Sequence, residues 1–153
     1  MIYYCDSSAV VKIYLDEAGS QFMKNLCHKA PTGDLFINAI AGPEVWSALH
    51  RRFRSGDLTQ EIFAQARTDF TEDFNETFNR LPIADEIISL AMQLIEKYPL
   101  RGYDSVQLAT ALQLQSILRA FDGEEVCFVG SDKILNHAAK NEGLTVTNPS
   151  EQA

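Results

Sequence analysis

Four consecutive apolar residues, Val126-Cys127-Phe128-Val129, form a run with no polar member. A strand with one wet face would alternate, so this run reads as a strand covered on both faces. Such strands belong to parallel sheets with helices packed on each side. Ile2-Tyr3-Tyr4-Cys5 is a second β-favouring apolar run, closed by Asp6. Leu35-Phe36-Ile37, Leu81-Pro82-Ile83 and Leu144-Thr145-Val146-Thr147 complete the strand candidates.

Helical patterns fill the intervals. Ser7-Ser8 precede Ala9 to Tyr14, a short helix entered through a polar cap. Gly19-Ser20 open a helix with Phe22, Met23, Leu26 and Cys27 on one face, stopped by Pro31-Thr32-Gly33. Gly42-Pro43 start another, because proline suits the first helical turn. Thr59 begins a long helix striped with Phe63, Ala66, Phe70 and Phe74. Asp85-Glu86 lead an amphipathic helix through Ile87, Leu90, Ala91, Leu94 and Ile95, broken by Pro99 and Gly102. Asp104 starts a helix that is apolar on more than one side, the mark of a buried one. Asp122-Gly123 reads as a turn. Ser131-Asp132 open the last helix, closed by Gly143. Strands separated by helices predict βαβ crossovers and a mostly parallel sheet with helices on both faces. The 153 residues suit one domain spanning 1–153.

Composition removes several function classes. Cys5, Cys27 and Cys127 are widely spaced and include no Cys-x-x-Cys pair, so neither a disulfide framework nor a zinc ribbon is signalled. They read as reduced core thiols of a cytoplasmic protein. His28, His50 and His137 have no metal-ligand spacing. No apolar run approaches the ~20 residues needed to span a bilayer. The net charge of −8 argues against a protein that coats nucleic acid electrostatically. It leaves room for an enzyme that meets nucleic acid at one acidic, cation-filled site.

In a parallel α/β fold, ligands bind beyond the carboxyl ends of the strands. Asp6 follows the first strand, and Asp132 follows the Val126–Val129 strand, which aims both at the same sheet edge. Glu44 lies in the first turn of the helix after the Leu35–Ile37 strand, near that edge. Asp104 also lies in a helix first turn, although the element before it is a helix. Acids favour such positions simply because they cap free N–H groups and complement the dipole. Asp16, Asp57, Asp85 and Glu86 read that way. What separates the other four is their convergence and their apolar, small-residue surroundings. Gathered carboxylates repel one another, and a divalent cation removes that conflict. Oxygen donors without His or Cys suit Mg²⁺ or Mn²⁺, not zinc. A phosphodiester hydrolysis is the natural chemistry of such a set.

At these residues the sequence resembles the PIN-domain ribonucleases, and most of all the VapC-type toxins of toxin–antitoxin pairs. The matching stretches are Tyr4 to Lys12, Gly42 to Leu49, Arg101 to Leu112 and Phe128 to Leu135, with a fitting tail from Ala138 to Pro149. The resemblance implies a Rossmann-like three-layer α/β/α sandwich. It implies that Asp6, Glu44, Asp104 and Asp132 hold Mg²⁺ or Mn²⁺, with the hydroxyls of Ser8 and Ser131 nearby. It implies cleavage of single-stranded RNA, a homodimer, and an antitoxin partner that covers the site. Two departures stand out: Ser105 replaces the more usual Ala, and the turn Asp122-Gly123-Glu124-Glu125 is strongly acidic.

Other residues carry paired readings. Arg51, Arg52 and Arg54 follow Glu44 on one helix and suit RNA phosphates, because guanidinium binds phosphate bidentately. They suit a solvated helix face equally well. Lys12 and Lys133 either offset the acidic pocket or are plain surface charge. The Phe63, Phe70, Phe74 and Phe78 stripe reads as core that can also clamp a partner helix. Trp46 reads as packing. Two other functions fit less well. A catalytically silent PIN-like binding module sits badly with an intact acid set. An Asp-phosphoacceptor or phosphatase-like domain needs a second acid beside Asp6, where Ser7-Ser8 stand.

Overall fold

The computed structural model describes residues 1–31, 33–121 and 123–152. The expected stop at Thr32 and turn at Asp122 lie outside the described residues. Along the chain run β1 (Ile2–Cys5), α1 (Ser7–Tyr14), α2 (Ser20–Lys29), β2 (Leu35–Asn38), α3 (Ala41–Arg54) and α4 (Gln60–Glu76). Then come β3 (Asn79–Leu81), α5 (Asp85–Lys97), α6 (Gly102–Phe121), β4 (Val126–Val129), α7 (Lys133–Asn141), β5 (Thr145–Thr147) and a closing 3₁₀ turn, Pro149–Glu151. The expected alternation of strands and helix pairs is the one observed.

The five strands form one sheet in the order β3-β2-β1-β4-β5, and every described pairing is parallel. The chain builds outward from β1 to β3, then returns through α5 and α6 to place β4 on the other side of β1. The reversal point therefore lies between β1 and β4, where Cys5 pairs with Val129. In open α/β sheets that is where a crevice forms at the carboxyl edge.

Residue alternation explains why both sheet faces are dry. Cys5, Leu35, Ile37, Cys127 and Val129 face one core, with Ala9, Val10, Met23, Val45, Leu49, Phe63 and Phe70 from α1 to α4. Tyr4, Val126 and Phe128 face the other, with Ile87, Leu94, Leu108 and Leu135 from α5 to α7. The central strands bury both sets, which is why their sequences show no polar alternation. The three cysteines are free thiols; Cys5 and Cys127 are buried, and burial pushes the Cys5 thiol pKa well up. No helix among the described residues is long and apolar enough to cross a membrane.

Two boundaries differ from expectation. The third strand ends at Leu81 instead of running through Pro82-Ile83. Pro82 has no N–H to give a ladder, and the Leu81 carbonyl instead takes the Ala39 N–H at 2.9 Å. Gly102 does not merely break α5; it opens α6, whose first turn then carries Asp104.

Candidate active site

The carboxyl edge at the reversal point holds a cleft of ≈ 490 Å³. Asp6, Glu44, Asp104 and Asp132 all line it, from four different elements. Ser7, Ser8, Ser47, Arg51, Arg101 and Gln107 contribute further polar groups.

Asp6 and Asp132 reach the cleft by the same local device. Each follows a central strand and caps the next helix. Asp6 Oδ1 accepts the Ala9 N–H at 3.1 Å and the Ser8 hydroxyl at 2.6 Å. Asp132 Oδ1 accepts the Ile134 and Leu135 N–H groups at 2.9 and 3.0 Å. Capping, the bland reading of both residues, is thus real, yet it uses one oxygen of each carboxylate. The Oδ2 oxygens take no part in it. Glu44 repeats the pattern: Oε1 accepts Ser7 Oγ and Gln107 Nε2, both at 2.8 Å. Asp104 Oδ2 receives Arg101 Nε at 2.9 Å, and a second guanidinium nitrogen lies 3.8 Å from Asp132 Oδ2.

Asp6 is 3% exposed. Burial pushes its carboxyl up to about 7, and the charges of Glu44 and Asp104 add to that. The Ser8 and Ala9 hydrogen bonds oppose it by stabilising the anion. Gly130 makes the burial possible. A Cβ there would lie 3.0 Å from Asp6 Cγ and Oδ2.

Gln107 organises the wall behind Glu44. It is 1% exposed, and its Oε1 accepts the hydroxyl of the fully buried Tyr4 at 2.5 Å. Its Nε2 then donates to Ser7 Oγ and Glu44 Oε1. A carboxylate only accepts, so this amide orientation is the one that satisfies both ends. Nearby, Asn38 at the end of β2 donates to Thr110 Oγ1 at 2.8 Å, tying that strand to α6.

The remaining expected site residues separate. Ser8 lines the cleft. Ser131 does not line it; its backbone N–H donates to Ser8 Oγ at 2.9 Å, so it acts through Ser8. Of the three arginines on α3, Arg51 alone reaches the cleft. Arg52 is engaged with Glu17 at 3.2 Å and Asp57 at 3.4 Å, and Arg54 is an exposed residue outside it. Lys12 is neither pocket counter-ion nor surface charge: it is buried and paired with Glu17 at 3.0 Å. Lys133 is exposed and lines a separate hollow with His137 and Lys140. Phe63, Phe70 and Phe78 are core, and Phe70 and Phe74 also border an apolar hollow with Gly42, Pro43 and Trp46.

Sequence reasoning did not assign Arg101 and Gln107. A signal was present: Arg101, Asp104 and Gln107 are spaced by three, one face of a helix.

The donors suit a hard divalent cation in kind. They are oxygens, the like charges need neutralising, and capping leaves the Oδ2 atoms of Asp6 and Asp132 uncommitted. Among the described residues, no three of these side chains stand close enough to share one ion as they are. The Arg101 guanidinium supplies positive charge between Asp104 and Asp132 instead.

Residues 3–127 match the family model described as "PIN domain". The ribonucleases VapC45 and VapC49, from two strains of Mycobacterium tuberculosis, are each 35% identical to the chain over 111 residues. These matches cover 72% of the chain and 75% of each relative. Among solved structures, FitAcB from Neisseria gonorrhoeae superposes with a TM-score of 0.70 at 13% identity, covering 99% of this chain and 100% of that one. A toxin–antitoxin complex from Klebsiella pneumoniae gives 0.60 at 18% identity, covering 99% and 100%. At those identities the structural likeness bears on fold alone. The family model and the sequence relatives go further, and by them this chain belongs to the PIN-domain family.

Proposed function

We propose that the chain is an endoribonuclease of the VapC toxin type, which hydrolyses phosphodiester bonds of single-stranded RNA with Mg²⁺ or Mn²⁺. The observation that carries this reading is the cleft at the sheet reversal point, lined by Asp6, Glu44, Asp104 and Asp132. The names of the sequence relatives, both ribonucleases, support it. When bound, a divalent cation would neutralise charge on the phosphoryl group and make water a stronger nucleophile.

The chain's own residues prepare for that. Asp6, Asp104 and Asp132 would hold the cation through oxygens that face the cleft, and Glu44 would assist. Ser7 and Gln107 fix Glu44, and Ser8 fixes Asp6, so the movement needed to share an ion would fall to Asp104 and Asp132. Arg51, on the cleft wall, suits an RNA phosphate. The acidic cleft repels RNA until a cation enters, so RNA binding is expected to be weak without metal.

An antitoxin protein is the proposed partner, supported by the toxin–antitoxin complex among the structural neighbours. A basic segment would complement the acidic cleft. The homodimer implied by the resemblance would bury the exposed apolar row Ile88, Met92 and Ile95 of α5. The silent-module reading finds no support in the residues, since all four carboxylates are present and line one cleft.

The test is cleavage of a labelled single-stranded RNA with Mn²⁺. Cleavage is expected to stop in excess EDTA and in Asp104→Asn, while circular dichroism shows the variant folded. Full activity in either condition would refute the assignment.

A further inference from the structure

Arg101 is the one basic side chain seen to bridge two of the cleft carboxylates among the described residues. Its Nε donates to Asp104 Oδ2 at 2.9 Å, and its Nη2 lies 3.8 Å from Asp132 Oδ2. The Asp132 oxygen it approaches is the one that helix capping leaves free. A cation bound between these acids would need those same oxygens. The guanidinium and a metal ion therefore compete for one place.

Two features make the guanidinium easy to displace. Its side chain is 65% exposed, so the ion pairs are weak. The contact to Asp132 is long. Once displaced, it stays at the cleft rim, just before α6 and apart from the α3 wall that carries Arg51. A bare guanidinium there meets the next anion to arrive, which in the proposed reaction is an RNA phosphate.

We propose that Arg101 is an exchangeable counter-ion: it spans Asp104 and Asp132 as these side chains stand, yields them to a divalent cation, and then binds substrate phosphate. This rests on the metal-dependent ribonuclease reading above. It adds an order of events, in which metal entry releases a phosphate-binding group. Arg101 also differs in kind from Lys12 and Arg52, whose charges are held by Glu17 away from the cleft.

Isothermal titration of Mn²⁺ into the intact protein, without RNA, tests the first half. Arg101→Ala should bind Mn²⁺ about two- to fivefold more tightly than the parent, the factor by which an exposed ion pair competes. Arg101→Lys should fall between them, because an ammonium is a point charge and cannot span two carboxylates. Equal or weaker affinity in Arg101→Ala overturns the proposal while leaving the metal site intact. Absence of Mn²⁺ uptake by parent and variant alike overturns both this proposal and the reading beneath it. The second half is read in RNA cleavage: Arg101→Ala should raise KM severalfold, with kcat changed by less than that. A tighter Mn²⁺ affinity with unchanged KM would overturn the phosphate role.

Discussion

The ends of β1 and β4 offer a controlled comparison. Beyond each of these strands an aspartate, Asp6 or Asp132, caps the following helix through Oδ1. Asp6 is nevertheless sealed in at 3% exposure, whereas the Asp132 side chain is 33% exposed. Asp6 lies beside Gly130, with Glu44 and Asp104 acting on its charge. Asp132 has solvent and the Arg101 guanidinium. One capping device thus yields one carboxylate sealed beside other acids and another open to solvent. Capping accounts for where each aspartate sits, and burial accounts for what each can do.

The sharpest way to break that comparison is to neutralise each aspartate with minimal change of shape. Asp6→Asn keeps an oxygen for Ser8 and Ala9 but loses the charge that a cation would need. RNA cleavage should fall on the order of a thousandfold, the loss of several kcal/mol of charge stabilisation. Asp132→Asn, at the open side of the cleft, should lose less. Single-turnover cleavage of one labelled RNA by both variants measures the difference. Equal losses would mean that burial does not set the ranking.

A second contrast is thermodynamic and concerns the protein without metal. The folded-state pKa of Asp6 is raised from 3.8 to about 7. Between those values the native state binds more protons than the unfolded chain. Its stability therefore falls as pH rises from about 4 to about 7. The change should amount to roughly 2–4 kcal/mol at most. Urea unfolding in EDTA across that range should show the decline. Asp6→Asn, which cannot ionise, should flatten it and be the more stable protein at pH 7. Asp132→Asn should leave the decline in place. A decline of the same size in Asp6→Asn would assign the effect elsewhere.

These contrasts also indicate which parts of the structure were legible in the sequence. The Val126–Val129 run announced a strand covered on both faces, and from it followed the parallel sheet and the carboxyl edge. Asp6 directly follows its strand and Asp132 follows its own after Gly130-Ser131, and nearness along the chain fixes direction. Asp104 was harder to place, because a helix precedes it and only the return of α6 past β1 brings it to the cleft. The arginines of α3 show the opposite problem. Arg51 and Arg52 are neighbours in sequence but point about 100° apart on a helix, and only tertiary packing reveals that Glu17 holds Arg52. Lys12 reads as a surface charge until the same Glu17 is seen beside it. Arg52 and Glu17 lie 35 residues apart, and a pair that distant leaves no local pattern.

Gln107 sets the smallest of these contrasts, between a charged residue and a neutral one in the same cleft wall. Asp104 and Gln107 lie three residues apart on α6, and both line the cleft. Asp104 touches an exposed arginine; Gln107 touches the buried Tyr4 hydroxyl, Ser7 and Glu44. Gln107→Leu keeps the volume close and removes all three hydrogen bonds. The Tyr4 hydroxyl, at 0% exposure, is then stranded in the core, which costs about 1–3 kcal/mol. Glu44 keeps Ser7 and its charge but loses its second anchor. Cleavage should fall about tenfold, the scale of a lost positioning contact to a metal-binding carboxylate. Adding Tyr4→Phe to Gln107→Leu removes the stranded hydroxyl and should restore stability, measured by urea unfolding, while the activity loss remains. If the double variant regains activity as well, Gln107 serves folding rather than Glu44. If stability returns and activity does not, the amide holds the carboxylate in place.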